Sequence, residues 1–337
     1  MIASQAYTEN QVSIFGDLTR KTAVVLFAGG GGACLGLKWA GFDVISAINH
    51  NAHAIALHTL NFPDTQHFRE DVRSVHPVKA MRGRRVDLIW MSPDCRHFSI
   101  AKGSSPVTDS VRSLADSIWT YLDEMMPAML LLENVKEFLT WGPTRDGKPI
   151  KERAGEYFKA WIARLEAYGY VVDWRILAAC DYGVPTSRQR LYLVARRDRQ
   201  AIVWPKPTHG YGLLPYHTAN ECIDRSIPWS RDLSVKPLTS MHRVEHGLKN
   251  RGKDFLISYY GTGLSNSLQE PMPTVTTKDR FGLISWPYFR MLTPKELASA
   301  MGFPESYKWI GSPVEQKARI GNAVCPKMAE VITRANT

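Results

Sequence analysis

A buried strand that runs through a glycine-rich turn directly into a helix restricts the possible folds of this chain more than any other feature. Residues 22–27 (TAVVLF) form a short apolar run. Residues 28–41 (AGGGGACLGLKWAG) begin as a turn and continue as a helix, and residues 42–48 (FDVISAI) are apolar again. Strand, turn, helix and strand in that order form the repeating unit of a parallel sheet. The pattern continues in VDLIWM (86–91) and AMLLLE (128–133), both read as buried strands. RSLADSIWTYLDEMM (112–126) carries Leu114, Ile118, Leu122 and Met125 at helical spacing, and Pro127 stops it. GEYFKAWIARLEAYG (155–169) reads as a helix closed by Gly169, followed by strand YVVDWRIL (170–177). The expected class is α/β, a doubly wound and mostly parallel sheet.

Ligands of such sheets bind at the carboxyl ends of the strands. The glycine turn lies at one such end. So does SPDCRHFS (92–99), which follows VDLIWM and places Cys95 among Pro93, Asp94, Arg96 and His97. The two loops should therefore share one mouth. Taken alone, the glycine turn leaves the ligand open, because nicotinamide, flavin and S-adenosylmethionine proteins all use one. Gly29, Gly31, Gly32 and Gly36 do not form G-x-G-x-x-G, and no acid ends the second strand, so a dinucleotide is disfavoured.

Charge points to the partner. The formal net charge is +10, and between Val184 and Tyr260 there are 13 Lys or Arg against 6 Asp or Glu. That stretch includes WPKPTHGYGLLPYHT (204–218), rich in proline, glycine and aromatics. It reads as an irregular, loop-rich insertion facing an anion, most simply nucleic acid. The five cysteines (Cys34, Cys95, Cys180, Cys222 and Cys325) contain no C-x-x-C pair, which argues against a disulfide framework and a zinc site and fits a reducing cytosol. No metal is expected. No apolar run reaches bilayer length and no basic-then-apolar leader pattern opens the sequence, so the expected location is cytoplasmic, with no membrane partner.

Read in chain order, these segments resemble the DNA cytosine-5 methyltransferases. LFAGGGGACLGLKWAG (26–41) resembles their cofactor loop, and EDV (70–72) the acid that meets the adenine. SPDCRHFS resembles their nucleophile loop, and ENV (133–135) is similar to their catalytic acid motif. YGVPTSRQRLYLVA (182–195) resembles their Gln-x-Arg-x-Arg segment. RMLTPKELASAMGFP (290–304) and RIGNAVCPKMAEVI (319–332) resemble their last two motifs. The matches run in the family's order over about residues 22–332. Departures fall at Asp94 for a usual proline, Arg96 and Thr186 for usual glutamines, Asn49 for an acid and Cys325 for a proline.

The resemblance implies a Rossmann-like methyltransferase sheet (20–196), a smaller irregular target-recognition domain (197–285) and a C-terminal segment returning to the catalytic domain (286–337). It implies S-adenosyl-L-methionine as cofactor, held by Phe27, Ala28, Gly29, Gly31, Gly32, Asn49, His50, Asp71, Val72, Ser92, Pro93, Asn322 and Ala323. It implies that Cys95 adds to carbon 6 of cytosine and that Glu133 protonates or hydrogen-bonds nitrogen 3. Arg188 is expected to hold the base's carbonyl oxygen or a flanking phosphate, and Arg190 to lock the loop. A free thiol is only a few per cent thiolate at neutral pH, so neighbouring positive charge has to favour ionisation. The implied partner is double-stranded DNA with the target cytosine extruded. The implied enzyme is a bacterial or phage modification methyltransferase acting as a monomer. Whether a cognate restriction endonuclease accompanies it is left open. A tRNA cytosine methyltransferase and a catalytically silent DNA-binding relative are the competing readings.

Overall fold

The structure is a computed structural model that describes residues 20–93, 113–146, 148–259 and 264–337. Thr22–Leu26 (β1) is buried at every position and leads through the glycine turn into Gly32–Trp39 (α1). Asp43–Ile48 (β2), Ala52–Asn61 (α2), Gln66–Phe68 (β3), Pro77–Met81 (α3) and Leu88–Met91 (β4) follow. After them come Ile118–Met125 (α4), Met129–Asn134 (β5), a small hairpin of Thr144–Arg145 (β6) and Lys148–Pro149 (β7), and Glu156–Ala167 (α5). Val171–Ala178 (β8) and Gln189–Arg196 (β9) complete a seven-stranded sheet of order β3-β2-β1-β4-β5-β9-β8.

The pairs among β1 to β5 are parallel, whereas β9 is antiparallel to both β5 and β8. The link from residue 179 to 188 is too short for a crossover helix, so the chain doubles back there. Val25, Trp90 and Leu131 face one apolar core, and Val24, Leu26, Ile89, Met91, Leu130 and Leu132 face the other. Both faces of the central strands are therefore buried, which is why these strands are continuously apolar in sequence.

The basic lobe is more ordered than its composition suggests. Residues 197–230 hold little regular structure, but beyond them Arg231–Asp232 (β10), Asp254–Ser258 (β11), Ser265–Ser267 (β12), Phe281–Ser285 (β13) and Tyr288–Met291 (β14) form an antiparallel sheet. Its order is β10-β14-β13-β11-β12, and it packs against Met241–Arg251 (α6). Leu233, Val244, Phe255, Ile257, Ile284 and Phe289 form its core. The sheet runs past residue 285, because β14 turns straight back along β13.

The C-terminal segment contributes Pro294–Ala300 (α7), Pro313–Asn322 (α8) and Pro326–Ala335 (α9). Arg290 and Glu296 form a buried ion pair at 2.7 Å, and Arg290 also donates to the carbonyl of Asp224 at 2.8 Å. The start of α9 crosses α1 at Gly36, where a Cβ would run into the Pro326 carbonyl and lie 2.6 Å from Ala329 Cβ. This crossing brings the end of α8 to the glycine turn. Among the described residues, no helix is long and apolar enough to cross a membrane.

Candidate active site

The glycine turn is shaped by its backbone. Phe27, Gly29 and Gly31 have φ values of 60°, 49° and 79°, and the Ala28 N–H donates to the Ile48 carbonyl at 3.0 Å. The Tyr307 hydroxyl donates to the Gly30 carbonyl at 2.8 Å. A cleft opens beside the turn, lined by Phe27, Ala28, Gly29, Gly32, Ser92, Asn322 and Ala323 from the sequence reading. Val25, Gly30, Ala33, Trp90 and Val324 complete the lining. Gly31 instead backs onto Tyr307 and Phe62, where its left-handed backbone and those rings leave no room for a side chain.

The other expected cofactor residues sit at neighbouring strand ends. Asn49 follows β2 and accepts the Asn51 N–H on Oδ1 at 2.8 Å, and the Asn51 side chain in turn caps α2. His50 is exposed. Asp71 accepts from Arg73 Nε at 2.9 Å and from Nη2 at 2.7 Å. These bonds, aided by the charges of Arg73 and His50 and opposed by partial burial, hold the Asp71 carboxyl down to about 2, so it is ionised at neutral pH. The Val72 carbonyl accepts the buried Tyr121 hydroxyl at 2.8 Å. The Pro93 carbonyl accepts from Asn134 Nδ2 at 3.2 Å. Sequence reasoning did not single out Asn134, although it stands inside ENV.

Glu133 lies on β5 opposite Tyr192 of β9 and is buried. Arg190, just past the end of that pairing, places Nε 3.2 Å from Glu133 Oε1. Burial pushes the Glu133 carboxyl up, outweighing the opposing pull of Arg190, Arg188 and a hydrogen bond from Ser92. Arg188 does something different from what was expected. Its guanidinium is buried and donates to the Val275 carbonyl at 3.1 Å and the Ala323 carbonyl at 3.3 Å. Arg190 thus stands beside the carboxyl, and Arg188 ties the lobe and the C-terminal segment to the sheet. The cause is strand register. Loss of the fork leaves two buried carbonyls unpaired, so Arg188→Lys is expected to lower stability by about 2 kcal/mol. Urea unfolding checks this, and an unchanged midpoint would show that Arg188 is not a clamp.

A buried acid beside an arginine, at the strand ends next to a glycine cleft, is the arrangement expected of a base-modifying site. The sequence profile of the C-5 cytosine-specific DNA methylases matches residues 22–218 and 218–336. The chain belongs to that family. The methylase is 26% identical over 335 residues to the Type II methyltransferase M1.HphI of Haemophilus parahaemolyticus, covering 93% of this chain and 86% of that protein. It is 28% identical over 249 residues to the Type II methyltransferase M.AquIA of Picosynechococcus, covering 69% of this chain and 99% of that protein. Solved structures share the fold. A DNA modification methyltransferase encoded within an E. coli prophage superposes with TM-score 0.65 at 22% identity, covering 94% of this chain and 98% of that one. The S. pombe Dnmt2 methyltransferase does so with TM-score 0.63 at 20% identity, covering 93% and 97%.

One of the methylase's departures has a structural explanation. Thr186 is fully buried and donates its hydroxyl to the Met272 carbonyl at 2.8 Å, while the Met272 N–H donates to the Pro185 carbonyl at 2.9 Å. A short hydroxyl suits this close seam with the lobe. Cys325 is the N-cap residue of α9, and burial pushes its thiol up to about 11 although Arg188 and Arg190 pull it down. Cys180 and Cys222 are likewise pushed up to about 11 by burial, and Cys34 higher still. These four thiols are poor nucleophiles at neutral pH. Cys95, Asp94 and Arg96 lie outside the described residues.

Proposed function

We propose that this methylase transfers a methyl group from S-adenosyl-L-methionine to carbon 5 of a cytosine extruded from a specific duplex DNA sequence. It does so as a monomeric Type II modification enzyme. The observation that carries this reading is the buried Glu133–Arg190 pair beside the glycine cleft.

The cleft suits the cofactor: its floor is backbone and small side chains at Ala28, Gly29, Gly30 and Gly32 beside Phe27, with the polar ends Ser92 and Asn322. Bound there, S-adenosyl-L-methionine supplies a methyl sulfonium electrophile. Asp71, ionised at neutral pH, is the adenine acceptor, with Val72 beside it, and Asn49 and His50 flank the ribose. Pro93 and Ala323 close the reactive end. Cys95 adds its sulfur to carbon 6, and the ring's electron pair moves toward carbon 5. Glu133 gives nitrogen 3 a proton, which offsets charge building on the ring, and Arg190 holds the Glu133 carboxyl in place. Loss of the carbon 5 proton after methyl transfer breaks the carbon 6–sulfur bond and returns Cys95. The burial of the other four cysteines supports Cys95 as the nucleophile.

The lobe of residues 197–285, with the sheet continuing to Met291, contacts the duplex and chooses the sequence. Its phosphate contacts offset the few kcal/mol that extrusion costs. Residues 20–196 and 286–337 carry the chemistry.

Transfer of tritiated methyl to duplex DNA, compared with tRNA, tests the assignment. DNA labelling that falls steeply with added salt is expected; labelling confined to tRNA would overturn it, and binding without labelling of either would leave a silent DNA-binding protein. Asp71→Ala should weaken cofactor binding by roughly 10-fold to 150-fold, the value of one charge-assisted hydrogen bond. Calorimetry reads this directly, and unchanged affinity would remove Asp71 from the site.

A further inference from the structure

Ser92 follows β4 immediately. The parallel register pairs Met91 with Leu132, so Ser92 and Glu133 come next, side by side, and their side chains leave the sheet on the same face. Trp90 points to that face too and donates its indole N–H to Ser92 Oγ at 2.9 Å. An indole N–H can only donate, and a serine hydroxyl has one proton. With the indole already donating to the oxygen, the hydroxyl proton is directed elsewhere, and the Glu133 carboxyl on the neighbouring strand stands where it can accept it. Trp90 and Ser92 also line the glycine cleft.

The geometry points to Ser92 as a positioning residue for Glu133: Trp90 fixes the hydroxyl, and the hydroxyl and Arg190 together fix the carboxyl that meets the base. The inference rests on the reading of Glu133 as the group that protonates the cytosine ring. It adds a link between the cleft wall and that acid, built on a residue otherwise assigned only to cofactor contact.

The relay also sets how tightly Glu133 holds its proton. Among the described residues, the charged and titratable groups facing the carboxyl are Arg190, Arg188, Tyr192 and Cys325. Burial raises its proton affinity, while the two arginines and Ser92 lower it. Removing the hydroxyl takes away a donor to the charged form, so the affinity rises further. It also lets the carboxyl turn away from the base.

The test is an infrared titration of the ligand-free full chain, with the Glu133 carboxyl band identified by subtraction of Glu133→Gln. It is paired with single-turnover methyl transfer to duplex DNA as a function of pH. Ser92→Ala and Ser92→Gly should each raise the proton affinity of Glu133 by about tenfold, the loss of one hydrogen bond to a charged group. Both should slow transfer by about tenfold and move its alkaline decline to higher pH by the same factor. Ser92→Thr, which keeps the hydroxyl, should restore the titration and most of the rate. Glycine adds no bulk, so Ser92→Gly gives the result if alanine fails to fold. An unmoved Glu133 band in the alanine or glycine variant would overturn the inference. Undiminished transfer by Glu133→Gln would instead overturn the role of Glu133 itself, whatever Ser92 does.

Discussion

Glu133→Gln is expected to slow methyl transfer by roughly 10²-fold to 10⁴-fold, the usual contribution of a positioned general acid. The substitution keeps the shape of the side chain and a hydrogen-bonding amide but removes the transferable proton. Glu133 is buried at the end of β5 and does not line the glycine cleft, so affinity for S-adenosyl-L-methionine should stay within about twofold, about 0.4 kcal/mol. The pH profile gives the sign. Burial raises the Glu133 carboxyl above the ordinary glutamate range, and in the proposed mechanism the protonated form is the one that acts. The protonated fraction therefore persists to higher pH than on an exposed glutamate, and the wild-type rate falls as pH rises through the folded value. The residual rate of Glu133→Gln should lack that decline. A variant with full rate, or one that keeps the wild-type alkaline limb, would show that the proton comes from elsewhere.

Much of this site could be read from local sequence because local sequence makes it. TAVVLF and AMLLLE are buried on both faces and therefore continuously apolar, so they announce strands, and Glu133 stands out as the charge that ends one of them. The turn at Phe27–Gly32 is equally legible, since the left-handed backbone at Gly29 and Gly31 and the close approach of Gly30 and Gly32 to the C-terminal segment favour glycine.

What could not be read depends on partners distant in sequence. Arg188 and Arg190 are two residues apart, and nothing nearby says which of them faces Glu133. The pairing of β9 with β5 decides it, and the carbonyls of Val275 and Ala323 capture the other. The antiparallel sheet of the lobe was hidden for a similar reason. Its strands are short, some of only two or three residues, and the long basic stretch 233–253 interrupts them, so composition outweighed periodicity. The link from Ser92 to Glu133 was hidden too, because the orientation of Ser92 comes from the ring of Trp90 and its acceptor from the neighbouring strand.

Cys95→Ala should abolish methyl transfer, because the described cysteines are buried with raised thiol affinities and cannot replace it. The protein should still bind duplex DNA, since binding rests on phosphate contacts from the lobe. The covalent step can be observed by blocking the one that follows. Release of the cysteine requires the proton on carbon 5 to leave, and a fluorine there cannot leave as a cation. Wild-type protein, S-adenosyl-L-methionine and a duplex carrying 5-fluorocytosine at the target should therefore give a protein–DNA complex that survives boiling in detergent. Omission of the cofactor should prevent trapping, Cys95→Ala should abolish it, and substitution of Cys34, Cys180, Cys222 or Cys325 should leave it intact. A trapped Cys95→Ala protein, or a wild type never trapped on its confirmed target, would contradict the covalent account.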